Sequence, residues 1–436
     1  MRRSSSKQRE PLPRGFGIIW TTVAVDLIGF GIVLPILPQY AERFGASPLT
    51  IGALVASFSL AQLVFAPIWG RLSDRIGRKP VLLISLFGTA AGSLLTGLAP
   101  GIALLFLGRI VDGASGASVS VAQAAVADVA PARSRAKLMG LLGAAFGVGF
   151  VAGPAIGALG ALINPRAPFF IAAAISAVNA LVAIRRLPET SPEHGGIGQP
   201  ALDTDVEDAA EMERAGSLDG PQPGTPLESE PVSVPESVGA ATATAGAGVQ
   251  RSAILRLITV SFVGMVAFSG FEATFALLTD QRYGLKLSGT GAVFTVIGLA
   301  LVVVQVGIVG RVNDRLGESG TLRMGLTANA IGLALLALDA GWIVLVASLT
   351  FLVLGQGLLT PTLSSAVAGR AGRERGTWLG WQQSAGGLAR VVGPITAGAL
   401  FGHIGVGSPY VVGAVLALVA LSLVPGGASV AEPITN

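Results

Sequence analysis

The sequence predicts an all-α membrane protein with twelve transmembrane helices in two parallel six-helix repeats. Three observations predict it. Apolar stretches long enough to cross a bilayer of about 30 Å recur along the chain. Of 436 residues, 51% are hydrophobic and 12% charged, half the charge of about 25% that soluble domains carry, and the mean hydropathy is +0.69. A loop sequence in the first half returns in the second at an offset of 240 residues.

The spans fall at 15–37, 50–69, 80–98, 102–125, 138–160 and 167–185, then at 253–279, 289–310, 321–339, 342–366, 377–401 and 407–425. The first is too long for a cleaved leader and holds Asp26 and the Pro35/Pro38 pair, so it is expected to stay attached. Lys and Arg in the connecting segments number 22 on one side of the membrane and 4 on the other. By the positive-inside rule both termini are cytoplasmic. The chain divides into a tail (1–14), a first bundle (15–186), a linker (187–252), a second bundle (253–425) and a tail (426–436). Residues 187–250 hold twelve acids and one Arg among many Pro, Gly, Ser and Ala, and are expected to be a disordered acidic tether.

Composition removes several functions. There is no cysteine and only His194 and His403, so disulfide scaffolds, thiolate chemistry and Cys-ligated zinc have no residues to use, and a histidine-built metal site has next to none. The same lack leaves an intramembrane enzyme without its machinery, and no cofactor is expected. Basic residues line the cytoplasmic loops without interleaved aromatics, which suits anionic lipid headgroups and not nucleic acid.

Three motifs share the 240-residue offset. Gly70-Arg71-Leu72-Ser73-Asp74-Arg75-Ile76-Gly77 returns as Gly310-Arg311-Val312-Asn313-Asp314-Arg315-Leu316-Gly317, Arg133-x-Arg135 as Arg373-x-Arg375, and Gly153-Pro154 as Gly393-Pro394. An even number of spans per half makes the repeats parallel, an arrangement that in transporters rocks around a site near the midplane.

These residues resemble the major facilitator superfamily, and more narrowly its twelve-helix drug:proton antiporters. Gly70 to Lys79 is similar to that superfamily's cytoplasmic signature, and Arg109-x-x-Asp112-Gly113-x-x-Gly116-Ala117 to its fourth-helix motif, departing from it at Asp112. Gly149-x-x-x-Gly153-Pro154-x-x-Gly157 resembles the antiporter motif of the fifth helix. Asp26-x-x-Gly29-x-Gly31-x-x-x-Pro35-x-x-Pro38 resembles the start of tetracycline-type efflux pumps. The metal–tetracycline exporters of that family carry an acid in the third helix and a histidine in the eighth; this chain has neither at 80–98 or 289–310. The resemblance implies proton-coupled export of drug-like amphipathic compounds from a bacterial cytoplasmic membrane by alternating access, with antibiotic resistance as its setting. The alternative is a permease, proton-coupled or facilitative, for a sugar or organic acid. A transport-dead sensor acting through the linker would leave the buried charges without a purpose.

The motifs assign candidate roles. Gly70, Asp74, Arg75, Gly77, Arg78 and Asp128 form a cytoplasmic ionic gate, with Asp74 placed near the start of the third helix, where its dipole favours an acid; Lys79 suits ordinary positive-inside charge equally. Gly149, Gly153 and Gly157 lie on one face and permit close helix approach, expected where the halves slide, and Pro154 invites a kink. Charges inside a membrane cost about 2.5–3.5 kcal/mol on insertion scales and mark function: Asp26, Arg109, Asp112 and Glu272 are the proton-coupling set, with Asp26 leading. Arg109 and Asp112, three apart, can also be a purely structural ion pair. Phe30, Gln62, Phe146, Phe268, Phe271, Phe275, Gln305 and Arg390 are candidates to line a substrate cavity, as are Phe65, Phe150 and Trp381. Phe268, Phe271, Glu272 and Phe275 share a face, and an acid among aromatics suits an amphipathic cation. The expected partners are that substrate, protons and lipid, and a monomer suffices.

Overall fold

A computed structural model describes residues 12–197, 236–371 and 375–425. The far parts of both expected tails and residues 198–235 of the linker lie outside the described residues. Helix α1 (Phe16–Val33) stops just ahead of Pro35, which has no backbone N–H to carry the helix on. A short α2 (Leu37–Glu42) fills the first loop. Helix α3 (Pro48–Ile76) starts on Ser47, whose Oγ accepts the Thr50 N–H at 3.2 Å, with Pro48 at the first helical position. A single residue, Gly77 at φ 96°, separates it from α4 (Arg78–Leu98); only glycine takes that conformation without strain.

The fourth expected span is not one helix. It is α5 (Ile102–Ser115) and α6 (Ser118–Val129), broken at Gly116–Ala117. Side chains from neighbouring helices occupy the freed backbone groups, as a break at membrane depth requires. Gln62 donates to the Gly116 carbonyl at 3.0 Å and Trp69 to that of Ala114 at 2.5 Å. Ser85 donates to the Ser115 carbonyl and accepts the Ala117 N–H at 3.2 Å. The first bundle closes with α7 (Ala132–Ile163) and α8 (Ala167–Arg186).

The second bundle comprises α9 (Glu236–Tyr283), α10 (Leu287–Gly307), α11 (Val309–Ala337), α12 (Gly341–Arg370), α13 (Arg375–His403) and α14 (Ser408–Leu423). Among the described residues, eleven stretches of helix are long and apolar enough to cross a membrane, and the 16-residue α14 is a shorter apolar twelfth. The repeat extends to the backbone: Gly317, 240 residues after Gly77, has φ 67° inside α11 and breaks it at the corresponding place. Pro154 and Pro394 lie inside corresponding helices. The linker departs from the expected tether at both ends, since 187–197 is packed against the first bundle and α9 begins at Glu236.

The apolar interior has three parts. Near the termini, each bundle has its own core: Phe16, Val23, Leu82, Val126 and Leu142 in the first, and Ile254, Leu257, Leu322, Leu326 and Leu363 in the second. At the far end one core joins the bundles, with Ile32, Ile36, Tyr40 and Ile51 packed among Phe271, Phe275, Phe294 and Tyr410. Two helix crossings seal that end. Gly52 and Gly398 bring α3 and α13 into backbone contact, a Cβ at Gly52 falling 2.1 Å from the Pro394 carbonyl oxygen. Gly291 and Gly298 do the same for α10 and α7, against Ala158 and the carbonyl of Phe150.

Candidate functional site

The break between α5 and α6 positions the polar centre of the first bundle. It starts α6 at Ser118, whose hydroxyl donates to Asp26 Oδ2 of α1 at 2.5 Å. On α5, Arg109 Nη1 donates to Asp112 Oδ2 at 2.8 Å, and both side chains are buried. The Arg109 guanidinium lies 4.4 Å above the Phe58 ring of α3, which in turn meets Phe30 of α1 at 5.2 Å. Arg109 is therefore pinned from two sides, by a carboxylate and by an aromatic face. Two polar atoms there are buried without a hydrogen-bond partner among the described residues: Asp26 Oδ1 and Arg109 Nε. Buried polar atoms are nearly always bonded, so each of the two keeps a hydrogen-bonding capacity that the described residues leave unused.

In the second bundle, Glu272 of α9 is half-buried and Arg390 of α13 exposed. Ser269 Oγ donates to the Ala389 carbonyl at 3.1 Å, which brings the two helices together beside both charges, yet no ion pair of 4.0 Å or less joins them. Phe268 of α9 borders two cavities of about 10 Å³ each, one reaching Gln356 of α12 and the other Asn329 of α11, each room for one water.

Several expected cavity residues have other tasks. Phe275 is fully buried in the far-end core, 4.9 Å from the Phe271 ring and 5.5 Å from Phe294. It belongs to the seal, and Phe271 bridges seal and cavity. Gln62 is committed to the α5–α6 break, and Phe146 packs on the first bundle's own core. Gln305 is exposed on the stripe of α10 that continues Gly298 and Val302. Trp381 and Phe65 are exposed towards the termini end of α13 and α3, and Phe150 lends its carbonyl to the Gly298 crossing.

The glycines of α7 also differ from expectation. Gly149, Gly153 and Gly157 face α1 of their own bundle: a Cβ at Gly153 would fall 2.6 Å from the Gly31 backbone, and one at Gly149 2.7 Å from the Leu27 carbonyl oxygen. The opposite bundle is met by another face of the same helix, through Phe150, Pro154 and Ala158. Glycine spacing identifies a close contact but carries no label for the partner helix.

The signature loop forms a network within the first bundle. Arg78 pairs with Asp74 and, at 3.1 Å, with Asp128, and donates to Ser73 Oγ at 2.8 Å. Asp74 sits in the last turn of α3, not at the start of the next helix. The acid at the start of α4 is Glu189, from the linker. Its carboxylate accepts the backbone N–H groups of Arg78 (2.8 Å), Lys79 (3.0 Å), Thr190 (2.9 Å) and Ser191 (3.0 Å). Burial works against its charge, but these donors outweigh burial and hold the carboxyl below its ordinary value. Thr190 donates to Asp128 at 3.2 Å. His194 Nε2 meets the Arg75 carbonyl at 2.8 Å, and Ile197 packs against Gly15 at the start of α1. Gly70 has open space around it. In the second repeat the acid is in place within the helix itself: Glu318 follows Gly317 directly and pairs with Arg370 at 2.8 Å.

Sequence reasoning missed Ser118, Phe58 and Glu189. Only Glu189 had a signal, an acid four residues beyond the sixth span in a segment read as uniform tether.

The sequence profile of the Major Facilitator Superfamily matches residues 19–317 and again 289–432. The chain is 29% identical to the class B tetracycline resistance protein of Escherichia coli, over 87% of this chain and 86% of that protein. It is 26% identical to multidrug resistance protein 2 of Bacillus subtilis (strain 168), over 88% of each. Among solved structures, the human organic anion transporter MFSD10 (TETRAN) superposes with a TM-score of 0.65 at 25% identity, covering 94% of this chain and 99% of that one. The nucleoside transporter NupG gives 0.68 at 13% identity, covering 94% and 99%, a likeness of fold alone.

Proposed function

Because this chain belongs to the Major Facilitator Superfamily, and is a multi-span membrane transporter akin to the drug-efflux members, we propose that it exports drug-like amphipathic compounds from a bacterial cytoplasmic membrane, driven by inward proton flow. Both termini are then cytoplasmic, which agrees with the 22-to-4 split of basic residues. The sealed far end is then the outside, and the arrangement is the inward-open state of an alternating-access cycle.

The observation that carries the reading is Asp26. Its carboxylate lies within the membrane, with one oxygen held by Ser118 and the other without a partner. A charge in that position is costly unless it works, and binding and releasing a proton is work a carboxylate can do. Arg109 is fixed by Asp112 and Phe58 in the same bundle and is proposed as part of the same coupling set. Glu272, in the other bundle beside Phe268, offers a carboxylate to a cationic substrate or a second proton. Nothing among these groups requires a cofactor, and the chain is proposed as a transporter and not an enzyme. The chain lacks an acid in α4 and a histidine in α10, where the resemblance puts those of metal–tetracycline exporters, so a general amphipathic substrate fits better than that chelate.

Proteoliposomes filled with a pH-sensitive dye test the proposal when a panel of amphipathic drugs is added. Drug-triggered proton movement in the parent, lost in Asp26→Asn, is the expected result; Asn keeps an oxygen for Ser118 but carries no proton. Flux with sugars or organic acids and with no drug would overturn export and make the protein a metabolite permease.

A further inference from the structure

Gln39 lies on α2, is 4% exposed, and reaches into the opposite bundle. Its amide nitrogen donates to the carbonyls of Ala276 and Leu285, each at 2.9 Å, and to Thr290 Oγ1 at 3.0 Å. The receiving site is built for a donor. Thr290 is bonded to Thr279 at 3.1 Å, and Thr279 to the Ala276 carbonyl at 3.0 Å. Gly284, at φ 64°, turns the chain between α9 and α10, and the Leu285 N–H bonds the Thr279 carbonyl at 3.1 Å, fixing the turn that presents the Leu285 oxygen.

We propose that Gln39 is a positioning residue of the transport cycle: its carboxamide is the polar key that holds the far end shut and must withdraw each time that end opens. The inference rests on the alternating-access reading above. In the shut state the two Gln39 N–H groups are shared among three acceptors, while its Oε1 is buried without a partner among the described residues. In the open state water reaches both sides, so neither is left unpaired. A hydrogen bond exchanged for water changes the balance only modestly, which lets the seal hold and still release. An apolar residue at 39 would remove the Gln39 donor from Leu285 and Thr290 in the shut state only, while the Ala276 carbonyl keeps Thr279. It would therefore shift the population towards opening by about 5–30-fold, the effect of losing one or two such bonds.

Chain chemistry makes the test clean, because there is no cysteine. Ile51→Cys places one thiol in the far-end core, where Ile51 is 1% exposed, and its labelling by a membrane-impermeant maleimide reads the seal without any transport assay. Gln39→Leu in that background is expected to label about 5–30-fold faster. Gln39→Glu is expected to behave like the parent in acid, where the protonated acid can donate, and to label fast in base, where a carboxylate would face three oxygens. The charged groups around it are Glu42 and Arg43 on α2 or just after it, Asp280 and Arg282 at the end of α9, and Lys286, paired with Asp280 at 2.7 Å. The parent carries the same groups, so its pH profile subtracts their effect. Unchanged labelling in Gln39→Leu, or a Gln39→Glu profile that parallels the parent's, would overturn the proposal. If instead the seal loosens as expected while no tested drug moves protons in the parent, the latch stands and the export reading fails.

Discussion

Replacing Glu189 tests whether the start of the linker is a working part of the first bundle. Its carboxylate accepts four backbone N–H groups at 2.8–3.0 Å, two of them from the first turn of α4. A hydrogen bond to a charged group contributes about 1.5–3 kcal/mol, and an acid at a helix N-terminus adds about 0.3–1. The four donors share two oxygens and the residue is half-buried, so water recovers part of the loss in Glu189→Ala. The expected net cost is about 2–3 kcal/mol, well below the sum. For a unit of about 150–250 residues that corresponds to an apparent Tm roughly 5–10 °C lower. The assay is a thermal melt of detergent-solubilised protein, with Glu193→Ala as control, since Glu193 is exposed four residues along.

The pH dependence of that loss has a fixed sign. A carboxyl held below its ordinary value stabilises the fold above that value, about 4.3 for glutamate, and loses the contribution as pH falls through the depressed one. The gap between parent and Glu189→Gln should therefore stay flat from about pH 8 to 5 and close only in stronger acid. A Glu189→Ala protein melting with the parent, or a Glu193→Ala protein falling as far, would refute the argument.

Asp112→Leu leaves Arg109 charged and buried, at a cost of about 3–5 kcal/mol, and should sharply reduce folded protein in the membrane; Arg109→Met/Asp112→Leu should recover much of it. Gly153→Val should abolish assembly of α1 with α7, whereas Gly140→Ala, with open space around it, should be neutral, both read by the yield of monodisperse protein. Excision of 198–235 should leave transport at the parental level once membrane abundance is matched, and excision of 189–235 should not.

The architecture was legible because hydropathy and length are properties of single segments, and a 240-residue offset is visible without coordinates. Contacts are properties of pairs, and there the sequence was silent or ambiguous. Arg109 and Asp112 could be paired because helical spacing brings residues three apart together; Asp26 and Ser118, 92 apart, obey no such rule. The fourth span hid its break because its mean hydropathy suits one continuous crossing, and what permits the break lies on α3 and α4, in Gln62, Trp69 and Ser85. The acidic composition of 187–250 was averaged across its first eleven residues, which behave differently because an N–H-rich helix start waits beside them. At α7 the glycine repeat announced close packing, yet only geometry assigns it to α1.

The partition of the apolar interior sorts substitutions by consequence. Trimming Leu82 or Leu326, each in a core private to one bundle, weakens that bundle alike in every conformation; abundance falls and each surviving molecule cycles as before. Trimming Ile36 or Phe294, in the core that the bundles hold in common, weakens one conformation alone; abundance holds and the time spent facing each side of the membrane changes. Variation selected for speed or for a new substrate range therefore has its cheapest route through the far end, among residues that touch no substrate at all.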